Sequence, residues 1–346
     1  MHRQDPAELI AHLAELGVGW VKVQVSWKVF QPDPDRLDEE WWGELDALVT
    51  AAEAHDIRVL LSVAKAPEWT RLTTEEDGPP AEFARFGEFM HLLASRYVGR
   101  VAAYELWNEA NLAREWRGLV LDGWALASLI QVGAEGVRSA DPNALIIMGA
   151  PAPTGIDDGN TAVDDRRFFQ QMVDAGVGEW VDGFGVHPYG WANPPASTVA
   201  NPDPLTTSHN DHPSFFFLET LEDYRAILVA AGVDKPLWAT EFGWATFENI
   251  GPTPAGLGYM DEVSEWQQAE YTLAAFGLAQ ERPWVARSSC GISILHPPSA
   301  PILRKAATAS CAWMARRALC MGRWRRPRNE SKSGSHSHCN TSPPCA

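Results

Sequence analysis

No stretch of this 346-residue chain approaches the roughly 18 uninterrupted apolar residues that cross a membrane. Its start lacks the basic-then-apolar plan of a secretory leader. Positive charge is scarce. There are 28 Lys+Arg against 45 Asp+Glu, and the formal charge of −17 argues against nucleic acid or an anionic membrane surface as partner. No Gly-x-Gly-x-x-Gly follows an early strand, which removes the usual mark of a dinucleotide-binding doubly wound sheet. Repeats at solenoid spacing and an interdomain linker are also missing. What the chain has is tryptophan: 16 residues, within a composition that is 45% hydrophobic and 10% aromatic. That is enough for one large core, and an α/β barrel of about 250 residues is a common solution at this size. An acidic, Trp-rich chain suits a neutral ligand with stackable faces, a description that sugars meet.

The two ends read differently from the middle. Asp5-Pro6 signals a helix start, and Leu9, Ile10, Leu13 and Leu16 fall on one face of an amphipathic helix. The chain is therefore expected to begin within its first helix and to lack the strand before it, so localisation stays unknown. At the other end, all five cysteines (Cys290, Cys311, Cys320, Cys339 and Cys345) follow residue 285. Ten of the Lys+Arg lie there, but only Glu330 of the acids, so residues 1–284 carry −26 and the remainder +9.

Three readings of that tail compete. The run RRALCMGRWRRPRNESK could be a disordered nucleic-acid-binding arm. His336, His338 and Cys339 could be taken for metal ligands, although they lack a paired cluster at zinc-site spacing. A frame-shifted product accounts for more. Moving the frame of Val285–Leu295 by one base makes Gly-Ala-Ile-Phe-Leu-Trp-Asn-Leu-Asn-Phe available, and Ala307–Cys311 likewise allows Gly-Tyr-Ser-Ile-Leu. The expectation is a barrel domain over 1–284 and an aberrant, largely disordered tail over 285–346, with a disrupted eighth strand. Such a strand would leave its neighbour with an exposed, aggregation-prone edge.

Between residues 18 and 284, short apolar runs alternate with helical patterns, the signature of repeated βα units. Strands are expected at Val18–Val25, Ile57–Val63, Val101–Trp107, Leu145–Gly149, Phe184–His187 and Leu237–Glu241. Helices are expected at Trp41–His55, Pro80–Tyr97, Gly123–Ala140, Asp165–Ala175, Leu218–Ala231 and Ser264–Gln280. Six complete units, a missing strand in front and a spoiled one behind make a (β/α)8 barrel. The Pro-rich stretch Gly190–Ser214 reads as a loop over a site.

In such barrels the chemistry sits where strands end. Glu109 and Glu241 each stand at a strand end beside aromatic residues. With the missing strand counted first, they occupy the fourth and seventh strands and face each other across the mouth. Two carboxyls so placed suit glycosidic bond cleavage, in which one protonates the leaving oxygen and the other attacks the anomeric carbon or activates water. A separation of about 5–5.5 Å means retention, and about 6.5–9.5 Å inversion. The strand ends offer no His/Asp cluster at ligand spacing, so neither metal nor cofactor is expected.

Tyr104-Glu105-Leu106-Trp107-Asn108-Glu109 resembles the Asn-Glu acid/base motif of glycoside hydrolase clan A, and Thr240-Glu241-Phe242-Gly243-Trp244 its nucleophile motif. The His187-Pro188-Tyr189 strand end agrees. Within the clan, the chain is most similar to families 39 and 5, which include β-xylosidases and endo-glycanases, over about residues 5–284. The resemblance implies a retaining hydrolase of β-linked sugars acting through a covalent glycosyl-enzyme. Glu109 would serve as acid then base, Glu241 as nucleophile, and Asn108 as partner of the sugar 2-hydroxyl. Tyr189, with His187, would orient Glu241. The clan's Trp under the reacting sugar is absent from the eighth strand as it stands here and returns only in the shifted frame. Trp27, Trp69 and Trp244 are either subsite platforms or core. His187 is either a site residue or a satisfied structural histidine. Lys65 either reaches a sugar hydroxyl or pairs with Glu68. Glu105 is expected inside the barrel as a member of an ion pair. The expected partner is a carbohydrate, without nucleic acid or membrane insertion, and the oligomeric state is unknown. A non-catalytic carbohydrate-binding barrel is the main alternative, and an inactive product the second.

Overall fold

The computed structural model describes residues 5–286. In it, β1 (Trp20–Ser26), β2 (Arg58–Ala64), β3 (Ala103–Leu106), β4 (Leu145–Met148), β5 (Gly183–Val186) and β6 (Leu237–Ala239) form one parallel sheet in sequence order. Parallel neighbours need crossovers, and helices supply them. These are α1 (Pro6–Glu15), the short α2 (Trp27–Phe30), α3 (Glu39–Ala54), α4 (Ala84–Arg96), α5 (Gly123–Ala140), α6 (Asp165–Asp174), α7 (Phe217–Ala230) and α8 (Glu265–Gln280). The architecture is a partial (β/α)8 barrel.

Local chemistry explains where the helices begin. Asp5, Asp38, Asp122 and Asp164 each accept a backbone N–H at a helix N-terminus, and Ser264 forms a capping box with Gln267. Asp5 thus starts α1 at Pro6, as its Asp-Pro signal predicts, with Ile10 and Leu13 buried beneath it. Four of the six observed strands, β1, β3, β4 and β6, are shorter than the apolar runs that announced them. Val101–Trp107 contributes only Ala103–Leu106 to the sheet, because Trp107 turns to φ 73° and leaves the extended region.

The sheet curls until its first and last strands meet inside. Trp20 on β1 and Trp238 on β6 lie edge to face, with ring centroids 5.2 Å apart. Together with Leu60, Ala103 and Ile147 they form an apolar floor within the barrel. The other parity of each strand, including Val21, Val23, Leu61 and Tyr104, packs outward against the helices in the main core. Each fully buried Val or Leu there contributes about 1.5–3 kcal/mol. Beyond β6, Val285 bridges Leu237 in parallel, and Ala286 N donates to Leu237 O at 2.8 Å. The expected disrupted eighth strand and frame-shifted tail otherwise lie outside the described residues.

Space inside the barrel comes from β5. A methyl group on Gly185 would stand 2.4 Å from Met148 O and 3.0 Å from Glu105 Oε1. Gly185→Ala is therefore expected to lower the free energy of unfolding by about 1–3 kcal/mol, since overpacking forces strain on its surroundings. Urea denaturation checks this, and an unchanged midpoint would mean that the β4–β5 ladder yields freely.

Candidate active site

Along β1 the sequence alternates, and Lys22, Gln24 and Ser26 share the parity of Trp20, whose ring lies inside the barrel. Lys22 is 1% exposed, with Nζ 2.8 Å from Glu105 Oε2 and 2.9 Å from Glu241 Oε1. Glu105, on β3, also accepts a hydrogen bond from Thr240 Oγ1 at 2.6 Å. Gln24 Nε2 donates to Glu241 Oε1 at 3.1 Å, and the Tyr189 hydroxyl donates to Oε2 at 2.9 Å. Both oxygens of Glu241 are held before any ligand arrives.

Glu109 is fixed differently. It follows β3 on a loop where Trp107 (φ 73°) and Glu109 (φ 49°) both occupy the left-handed region, costly for residues with a Cβ. Two backbone bonds hold this turn, Trp107 N to Val63 O and Glu109 N to Ala150 O, each 2.9 Å. His187, fully buried at the end of β5, joins the two carboxyls. Its Nδ1 lies 3.1 Å from Glu109 Oε1, and its Nε2 3.9 Å from Glu241 Oε1. One ligating atom from each of Glu109, His187 and Glu241 lies within 4.8 Å of the others. Above them opens a cleft of ≈ 240 Å³ whose lining includes Gln24, Lys65, Asn108, Glu109, Glu115 and Glu241.

The charges follow from these contacts. Burial alone would raise the Glu241 pKa. The Lys22 and His187 charges and the hydrogen bonds from Lys22 and Tyr189 outweigh it and bring the value down to about 2. Burial works against the Lys22 ammonium, yet Glu105 and Glu241 hold its pKa above the ordinary lysine value. Tyr189 is pushed well upward, first by burial and then by the carboxylates of Glu241 and Glu109, so it stays a donor.

The model of the cellulase family, glycosyl hydrolase family 5, matches residues 2–275. The chain belongs to this family. No curated protein matches it. Among solved structures, a family 39 glycoside hydrolase from Bacteroides cellulosilyticus WH2 aligns with a TM-score of 0.58 at 16% identity, covering 83% of this chain and 54% of that one. The exo-β-1,4-mannosidase Op5Man5 from an Opitutaceae bacterium gives 0.55 at 17%, covering 91% and 55%. A β-xylosidase from Caulobacter crescentus gives 0.53 at 19%, covering 87% and 60%. The chain thus spans little more than half the length of these structures, and the likeness is one of fold.

Within this family 5 chain, several residues singled out in the sequence converge. Glu109, Glu241, Asn108 and Lys65 line the cleft, and His187 and Tyr189 touch its carboxyls. The tryptophans do not. Trp27 is fully buried, stacked on Phe89 at 5.1 Å, and Trp244 is buried with Nε1 donating to Asn193 O. Trp69 packs edge-on against Trp27 and donates to Gln31 O. Trp27 and Trp244 are core, their rings packed against the helix residues Phe89, Phe217 and Tyr271, and Trp69 is partly buried against that core. Lys65 pairs with Asp77 at 3.1 Å and stands 3.9 Å from Glu115.

Lys22, Gln24 and Glu115 escaped the sequence reading. Lys22 and Gln24 sit in an alternating strand whose polar face looks solvent-exposed, and only closure of the barrel turns it inward. The strand ends do bring a His–carboxylate cluster together in space, contrary to the spacing along the chain. A divalent cation there would have to meet the Lys22 ammonium already bonded to Glu241, so the arrangement favours proton chemistry.

A depressed carboxyl pKa stabilises the fold above the ordinary value of 4.5, and this contribution is lost as pH falls toward about 2. Across that window, Glu241→Gln is expected to lose less stability than the wild type, by on the order of 2 kcal/mol. Denaturant titrations at pH 5, 4 and 3 would measure it. Parallel curves would mean that Glu241 is not held ionised by Lys22.

Proposed function

We propose that the protein hydrolyses O-glycosidic bonds of a β-linked carbohydrate with retention, using Glu241 as nucleophile and Glu109 as acid/base. The observation that carries this reading is the approach of the two carboxyls, one oxygen of Glu109 lying within 4.8 Å of one oxygen of Glu241. Retaining glycosidases hold their pair about 5–5.5 Å apart, whereas inverting enzymes leave room for a water.

In the first step a Glu241 oxygen bonds to the anomeric carbon while the bond to the leaving oxygen breaks, and Glu109 gives that oxygen its proton. In the second, Glu109 takes a proton from water, the water oxygen bonds to the anomeric carbon, and the ester electron pair returns to Glu241. A nucleophile with a pKa of about 2 is ionised throughout the neutral range. Tyr189 holds the oxygen that Lys22 and Gln24 leave, so the carboxylate turns a fixed edge toward the sugar. Asn108 lies beside Glu109 with its Oδ1 unpartnered, free to meet the sugar 2-hydroxyl. Membership of family 5 supports the reaction class.

The test is a panel of aryl β-glycosides. Glu241→Ala is expected to abolish turnover. Glu109→Ala should lose about 10²–10⁴-fold on substrates with poor leaving groups and far less on those with good ones. A wild type that binds oligosaccharides without cleaving any would replace this reading with a carbohydrate-binding barrel.

A further inference from the structure

The double displacement leaves one carboxyl of the cleft unused. Glu115 ends the short 3-10 turn Ala113–Glu115, and its backbone carbonyl accepts from Trp107 Nε1 at 3.4 Å. Its side chain is 15% exposed and lines the same cleft as Glu109. Arg114 reaches toward both carboxyls, with Nη2 3.8 Å from Glu109 Oε2 and Nε 3.8 Å from Glu115 Oε1. The other cation facing Glu115 is Lys65, whose Nζ lies 3.9 Å from Glu115 Oε2 but 3.1 Å from Asp77 Oδ2. Lys28 also pairs with Asp77. Neither Arg114 nor Lys65 comes within hydrogen-bond reach of Glu115. The lysine is committed to Asp77, and the arginine, 66% exposed, is screened by solvent.

A carboxyl so placed keeps its proton to high pH. Burial lifts Glu115 to about pKa 7. Lys65 opposes that rise, Glu109 and Asp77 add to it, and Arg114 opposes it more weakly. The contribution from Glu109 has a reciprocal. Carboxyls that repel each other titrate as a pair, and the charge on each makes the other's proton harder to remove. We propose that Glu115 is a positioning residue for the reaction, holding one proton in common with Glu109 so that the acid remains available as the pH rises to neutrality. The proposal rests on reading Glu109 as the acid/base. With one proton between them, the pair alternates between protonated Glu115 and protonated Glu109 by exchange through solvent in the cleft. That exchange leaves the charge of the pair unchanged, so only the loss of the last proton removes the acid. Without Glu115, the first proton to leave Glu109 is also the last.

The experiment is an NMR titration of the full chain labelled with carbon-13 in its glutamate carboxyls, with the Glu109 signal assigned from Glu109→Gln. The pH dependence of kcat/KM on an aryl β-glycoside is measured beside it. In the wild type the Glu109 signal is expected to move in two steps, the second near pH 7 where Glu115 titrates. In Glu115→Gln it should move in one. The alkaline limb of kcat/KM should lie about 0.5–1 pH unit lower in Glu115→Gln, and within about 0.3 of the wild type in Glu115→Asp, which keeps the charge. The wild-type titration decides the coupling even if Glu115→Gln does not fold. A wild-type Glu109 signal with no step near pH 7, or coincident limbs in the wild type and Glu115→Gln, would overturn the proposal. A two-step titration in a protein that cleaves no aryl glycoside would sink the hydrolase reading and leave a coupled pair without that role. Cleavage with an unmoved limb would sink the role of Glu115 alone.

Discussion

One ammonium inside the barrel carries the electrostatics of this molecule. Lys22 is buried between Glu105 and Glu241, 2.8 and 2.9 Å from their oxygens. Taking such charges out of water costs several kcal/mol per ion, and the cost is offset only when geometry and further hydrogen bonds are good. Here Thr240 donates to Glu105, and Gln24 and Tyr189 donate to Glu241. Removing one member of such a cluster leaves an uncompensated buried charge, worth about 3–5 kcal/mol. The same contacts that make the cluster tolerable keep Glu241 ionised.

Glu109 lives under other rules. Its carboxyl meets a histidine ring rather than a lysine, and its backbone is bent into a conformation that the neighbouring strands maintain. Two carboxyls in one cleft thus have contrasting surroundings, one saturated with donors and one lightly held. That contrast in contacts supports the proposed division of labour between Glu241 as nucleophile and Glu109 as acid/base.

Much of the fold was legible because its signals are local. The helix over Gly123–Ala140 agrees end to end with its pattern, since Asp122 caps it and Asp141-Pro142 stops it. The two glutamates were legible for the same reason, standing at strand ends in short motifs. What stayed hidden depended on curvature. Trp27 and Trp244 sit at strand ends like the glutamates, but their rings turn toward the helices, and nothing in the neighbouring residues decides that. Lys22 reads as the wet face of a half-exposed strand until the sheet closes around it. Glu115 lies on a short 3-10 turn without a strand to announce it.

The hydrogen bond from Thr240 to Glu105 crosses 135 residues of sequence and joins β6 to β3, which are not neighbours in the sheet. With Lys22 it forms a chord through the barrel rather than a segment of its hoop. The gap between Glu109 and Glu241 is therefore gauged by an internal strut, one layer below the mouth. Loops above can lengthen, shorten or change sequence while the strut keeps its length. Under the mechanism proposed above, a barrel built this way can vary the sugars it admits without retuning the distance over which its two carboxyls cooperate.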